Sequence, residues 1–141
     1  MPASVIPTAE PGTGPGWDRL AAALREALPR EEVDGVWVFR PYRSGPRDLG
    51  TAIISRVDGD RRRIYTARFG LMVKGRERGT FEWDLREVGS GPLTALEELL
   101  ALVPERGVDD EPPAPVPPEV WFPEPPPADA DPAAVDDAAS G

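Results

Sequence analysis

The sequence predicts a two-layer α+β domain in the order α-β-β-β-β-α, with a four-stranded antiparallel meander and both helices on one face of the sheet. Two observations lead to this class. Apolar residues recur at helical spacing at both ends of a central region, and four strand-like runs joined by short loops lie between them. The expected domain spans residues 17–103, between a disordered leader (1–16) and a disordered, acidic, proline-rich tail (104–141).

Both predicted helices are amphipathic and end at a proline. The apolar stripe of the first comprises Trp17, Leu20, Leu24 and Leu28. The second is expected to begin at Pro92, after a glycine-rich turn, and to place leucines between Leu93 and Val103 on its apolar face. Each stripe is of the kind that packs on a sheet.

The four predicted strands are rich in β-branched and aromatic residues and span 36–42, 51–57, 62–74 and 80–88. Because side chains alternate across a strand, Phe81, Trp83 and Leu85 share one face of the fourth strand. The opposite face carries Glu82, Asp84 and Arg86, which we expect to form cross-strand ion pairs with neighbours such as Arg68.

The first strand is apolar on both faces, because Trp37 and Phe39 alternate with Val36 and Val38. One face therefore needs a cover. The first helix, a second subunit that pairs through this strand, or the tail could each supply it, and Trp37 and Phe39 are protein-binding candidates if none does.

The composition argues against catalysis. The chain of 141 residues contains no histidine and no cysteine, so the usual general base near neutral pH and the thiol nucleophile are both missing. We expect a non-catalytic protein with no cofactor and no metal site. The N-terminus has no secretory signal and no apolar run is long enough for a membrane span, which favours a cytoplasmic location without membrane contact.

The formal net charge of −9 is unevenly distributed. Residues 35–80 carry 11 basic and four acidic side chains, whereas residues 104–141 carry one basic and ten acidic ones. In a meander, alternate loops meet at the same end of the sheet, which groups the basic residues into two sets. One set contains Arg43, Arg47, Lys74, Arg76 and Arg78, and the other contains Arg61, Arg62 and Arg63. These sets are polyanion-binding candidates; solvated hairpin tips are the alternative.

The tail contains one apolar cluster, Val120, Trp121 and Phe122, within a proline-rich acidic stretch. Such a cluster is typical of a short motif that docks on a partner protein. Two alternatives stay open: the aromatic pair packs back on its own domain, against Trp37 and Phe39, or the tail is a spacer.

These patterns favour a small interaction module or adaptor that binds an unidentified protein, with a chaperone-like homodimer as one version. The alternative function is a nucleic-acid-binding module that uses the arginine-rich hairpin ends and is inhibited by its own acidic tail.

Overall fold

The computed structural model describes residues 4–5 and 11–123 and has a mixed α+β fold, as the sequence predicts. Its strands are β1 (Ser4–Val5), β2 (Val33–Val38), β3 (Tyr42–Ser44), β4 (Arg47–Asp58), β5 (Arg61–Met72), β6 (Phe81–Pro92) and β7 (Ala114–Val116). Its helices are α1 (Pro15–Ala27), α2 (Leu96–Leu100) and α3 (Pro118–Trp121), with short 3₁₀ turns at Arg30–Glu32 and Val108–Asp110.

The strands form one antiparallel sheet built around the long hairpin β4–β5. On the far side of β5 lies β6, while β2 and β3 share the other edge of β4. The predicted first strand is thus divided, since it is interrupted at Pro41, which has no N–H to donate. Beyond it, β7 pairs with β2 and β1 pairs with β3, so the described residues form a sheet of seven strands where the sequence predicts four.

One face of the sheet is packed against α1. Trp17, Leu20 and Leu24 are fully buried, as the helical spacing predicts, and lie in one cluster with apolar side chains of β2, β4 and β5. The ring of Phe69 lies edge-on to Trp17 at a centroid distance of 5.0 Å. Glycines at positions 16 and 50 permit this packing, because a Cβ at either would overlap the Phe69 ring.

The prediction that both helices cover the same face is wrong. Leu99 of α2 packs with Phe39, Ile53 and Ile64, which form a second core cluster on the opposite face from α1. Alternation explains the arrangement: Ile53 and Ile54 are adjacent in β4 and both buried, so each face of the central hairpin presents apolar side chains. The second helix is also shorter than predicted, because β6 continues through the glycine-rich segment to Pro92.

Much of the predicted disordered tail is folded. After α2 the chain crosses the second face as residues 104–113, a segment that we call the strap, and then forms β7 and α3. Val116, Trp121 and Phe122 are buried in the α1-side core. The domain boundary predicted at Val103 therefore falls about 20 residues short of the last packed side chain. Half of the predicted leader (residues 1–3 and 6–10), and the tail from residue 124 onward, lie outside the described residues.

Candidate functional site

The predicted docking cluster lies inside the domain. Trp121 is 2% exposed and Phe122 is 3% exposed, whereas Val120 points outward and is 51% exposed. The indole of Trp121 lies 5.7 Å from that of Trp17, and its Nε1 donates a hydrogen bond of 3.0 Å to the carbonyl of Gly12. The aromatic pair packs back on its own domain, but against α1 and not against Trp37 and Phe39. In this conformation the pair cannot enter a pocket of another protein.

Trp37 and Phe39 instead lie on the floor of a cleft on the second face. The cleft has a volume of about 480 Å³, within the range of small-molecule and side-chain sites. Ile53 completes the floor, and Leu100 and Val103 form a wall after α2. The sequence leaves three possible covers for this face of the first strand: the first helix, a second subunit or the tail. The structure shows that the tail covers it, but only in part, because Trp37 stays half-buried.

The strap forms the remaining wall of the cleft. At Gly107 a Cβ would clash with the carbonyl oxygen of Glu111 and would lie 3.2 Å from the ring of Phe39, so the backbone sits directly against the floor. Asp109 and Asp110 both have left-handed backbone conformations, with φ of 56° and 60°. Aspartate is among the non-glycine residues that adopt this region most readily, and two in succession give the strap a tight turn at this point. Glu111 ties the strap to the connection between β2 and β3 through an ion pair of 2.8 Å with Arg40.

Glu105 is the unusual polar group of the cleft. Its Oε2 lies 3.8 Å from Nη1 of Arg68, a distance too long for a strong ion pair, and its Oε1 is buried with no hydrogen-bond partner among the described residues. A buried carboxylate oxygen without a donor costs free energy. Asp110 and Glu111 lie on the same rim. Basic side chains partly offset these carboxylates, because Arg106 also lines the cleft, Arg40 pairs with Glu111 and Arg68 lies near Glu105. The cleft therefore combines an apolar floor with a partly neutralised acidic wall.

The basic residues at one end of the sheet are engaged in structural contacts. Arg62 donates hydrogen bonds to Asp34, Ser55 and the carbonyl of Leu93, and its side chain is 12% exposed. Its neighbours are also bonded: Arg61 to Ser90, and Arg63 to Asp58 and Glu87. The hydrogen bond from Arg63 to Asp58 raises the pKa of Arg63. These contacts brace neighbouring strands, although Arg61 is exposed and its hydrogen bond to Ser90 leaves N–H groups that a polyanion could reach.

The other predicted basic set is divided. Arg43 pairs with Asp48 at 2.8 Å, and Arg47 pairs with Glu82 at 2.9 Å. Lys74, Arg76 and Arg78, on the β5–β6 loop, are exposed and form no ion pair with a described residue. The two loops adjoin as the meander predicts, because the N–H of Val73 donates to the carbonyl of Pro46.

The polar face of β6 carries the expected cross-strand pairing. Asp84 lies opposite Arg68 and accepts two hydrogen bonds from it, the shorter 2.7 Å. This hydrogen bonding lowers the pKa of Asp84, against a smaller opposing effect of burial. Arg86, two residues on, is exposed and forms no ion pair within the described part of the chain.

Among the described residues, no three acidic side chains converge as a metal site would require. No described helix is long and apolar enough to cross a membrane. Compared with known proteins, the chain matches no family model, no curated protein and no solved structure.

The sequence predicts Trp37 and Phe39, on the floor of the cleft, as protein-binding candidates, but it does not single out Glu105 or the strap. Both belong to the tail, whose proline and acid content predicts disorder. Two signals were present: three apolar side chains, Val116, Trp121 and Phe122, at the far end of the segment, and the uncovered apolar face of the first strand.

Proposed function

We propose that the protein is a non-catalytic interaction module that binds a basic segment of a partner protein, with one cationic side chain entering the cleft beneath the strap. The observation that carries this proposal is Glu105, which lines the cleft and has a buried oxygen that accepts no hydrogen bond from a described residue. The terminal torsion of a glutamate is soft, so a small rotation presents that oxygen to an incoming donor.

The chemistry of the cleft favours arginine as the entering side chain. Its aliphatic stem and planar guanidinium suit contact with the rings of Trp37 and Phe39, and its forked N–H groups match a carboxylate. Glu105 and the neighbouring Asp110 would neutralise the charge. An acidic rim also repels anionic ligands, which argues against phosphate or nucleic acid in this cleft.

The first test compares two peptides by calorimetry: acetyl-Leu-Arg-Leu-amide and the same peptide with citrulline, a neutral isostere of arginine. A charge-assisted hydrogen bond contributes about 1.5–3 kcal/mol, so we expect the arginine peptide to bind on the order of 10- to 100-fold more tightly. Glu105→Gln should remove this preference. Glu98→Gln is the matched control, because Glu98 is exposed on α2 and outside the cleft.

Equal affinity for the two peptides, or an arginine preference that survives in Glu105→Gln, would show that the carboxylate does not select the ligand. No binding of either peptide to a folded protein at millimolar concentration would remove the cleft as a side-chain site.

A second candidate function is nucleic-acid binding by the β5–β6 loop, favoured by the absence of ion pairs at Lys74, Arg76 and Arg78 within the described residues. The acidic tail would then compete with phosphate, as proposed from the charge distribution. Deleting residues 104–141 cannot test this idea cleanly, because that deletion also removes β7 and α3 from the fold. The deletion must begin after Pro123.

For this candidate we expect the chain shortened to residues 1–123 to bind a duplex 20-mer at about 50 mM salt more tightly than the full chain does. Three phosphate contacts predict a slope of about −2.7 for log affinity against log salt. Replacing Lys74, Arg76 and Arg78 with glutamine should abolish binding in a gel-shift assay. Failure of the shortened chain to shift single- or double-stranded DNA would exclude the candidate.

A further inference from the structure

The two outer edges of the sheet differ in their capacity to accept another strand. At one edge, β7 has three residues and includes Pro115, while β1 has only two residues. Proline removes a donor and blunts an edge. At the other edge, β6 runs for 12 residues and, within the described residues, pairs only with β5. The long free edge of β6 is therefore where another chain can add a strand.

A homodimer through the first strand, one version of the function that the sequence favours, would need a free edge along that strand. β2 pairs with β4 along one edge and with β7 along the other. From Val36 to Val38 both rows of backbone groups of β2 are thus paired inside the same chain, and a second copy would have to displace β7 there. Among the described strands, β6 and not β2 has a long free edge through which a second copy could pair.

The side chains of β6 are self-complementary in one antiparallel register. When Leu85 lies opposite Leu85 of a second copy, Asp84 of each chain faces Arg86 of the other on the same face of the sheet. A register centred on Trp83 places Glu82 opposite Asp84 of the second copy. A register centred on Asp84 or on Arg86 places that residue opposite its own equivalent, so two like charges meet. Among these four centres, only Leu85 pairs opposite charges without a like-charge pair.

The exposure of these side chains fits this arrangement. Trp83 is 39% exposed although its ring lies on the same face as the α1-side core, and Arg86 has no ion-pair partner among the described residues. In the Leu85-centred register, Trp83 lies diagonally across from Leu85 of the second copy, within reach of an aromatic side chain. The regular part of β6 ends at the β-bulge beside Glu87, which limits the pairing to about seven residues on each chain.

We propose that two copies of this chain associate through the free edges of β6, centred on Leu85, with reciprocal Asp84–Arg86 ion pairs and a sheet that continues from one copy into the other. This inference depends on the β6 edge and not on the cleft.

Sedimentation equilibrium of the full-length chain tests the proposal. Arg86→Asp converts both cross-strand pairs from attraction to repulsion, so we expect the dimer to weaken by about 10- to 100-fold. Arg30→Asp is the matched control: it makes the same charge change near the opposite edge, where Arg30 forms no ion pair with a described residue.

A charge exchange makes the test specific to this register. Asp84→Arg alone should also weaken self-association, because the introduced arginine then faces Arg86 of the second copy. A mixture of Asp84→Arg and Arg86→Asp chains restores both pairs between copies and should form a heterodimer tighter than the homodimer of either variant, although Asp84→Arg also removes the Arg68–Asp84 pair within its own chain. Circular dichroism of each variant confirms that it is folded. A wild-type chain that stays monomeric at millimolar concentration overturns the proposal, and a mixture that shows no association overturns the register.

Discussion

Replacing Trp121 with alanine is expected to lower the free energy of unfolding by about 3–5 kcal/mol, the usual cost of removing a buried tryptophan. Its side chain is 2% exposed and stacks at a tilt on Trp17. The substitution also leaves the Gly12 carbonyl without its indole donor. Such a loss is a large part of the stability of a small domain.

Denaturant titration followed by circular dichroism measures this effect. Val120→Ala is the control, because Val120 precedes Trp121 in the chain but is 51% exposed, and its replacement should change the free energy of unfolding by no more than about 0.5 kcal/mol. Equal, small effects of the two substitutions would show that the tail does not pack on the domain in solution.

Shortening the chain at two points should give opposite outcomes. A chain of residues 1–103 lacks the strap, β7 and α3, and it exposes the side chains of Trp17, Trp37 and Phe39 that those segments cover. Burial of each large apolar side chain contributes about 1.5–3 kcal/mol, so the combined loss is comparable to the whole stability of a small domain. We expect this chain to show no cooperative unfolding transition.

A chain of residues 1–123 keeps every side chain of the described core, and we expect its unfolding midpoint to match that of the full-length protein. Differential scanning calorimetry distinguishes the two shortened chains. A cooperative transition in the 1–103 chain with an unchanged midpoint would mean that the domain is complete without its tail, as composition alone predicts.

The parts of the fold that the sequence predicts are those with strong local periodicity. Leu20 and Leu24 define the buried face of α1, and Gly59, with a φ of 67°, forms the turn of the hairpin expected from Asp58-Gly59. The alternation of side chains along β6 correctly predicts that Trp83 and Asp84 lie on opposite faces of the sheet, and the predicted Arg68–Asp84 ion pair is present. Each of these features depends on neighbours within a few residues or on one adjacent strand.

What the sequence did not predict depends on contacts between distant segments. Ile53 and Ile54 are both apolar, but their pattern alone does not tell which helix covers which face. Composition predicts a disordered tail because it averages over the whole segment, whereas Val116 and Trp121 each pack at a specific position in the core. Prolines also restrict the unfolded chain, so ordering a proline-rich segment costs less entropy than its length suggests.

The cleft could be predicted only in part for the same reason. The alternation of the first strand predicts that Phe39 and Trp37 need a cover. Glu105 was one of ten acidic residues in the tail, and nothing in its local sequence sets it apart from the others. Glu105 comes to line the cleft only because the strap lies over the side chains of β2 and β4.

The most direct test of the proposed function uses the four tryptophan indoles as reporters in a nitrogen–proton NMR spectrum of the full-length protein. Trp37 lines the cleft, Trp83 lies on the edge strand β6, and Trp17 and Trp121 are buried on the α1 side. Titration with acetyl-Leu-Arg-Leu-amide should shift the indole resonance of Trp37, assigned by Trp37→Phe, and leave those of Trp17 and Trp121 in place. The citrulline peptide at the same concentration should shift it far less. Saturable binding of the arginine peptide without a change at Trp37, or equal shifts with both peptides, would contradict recognition of a cationic side chain in the cleft.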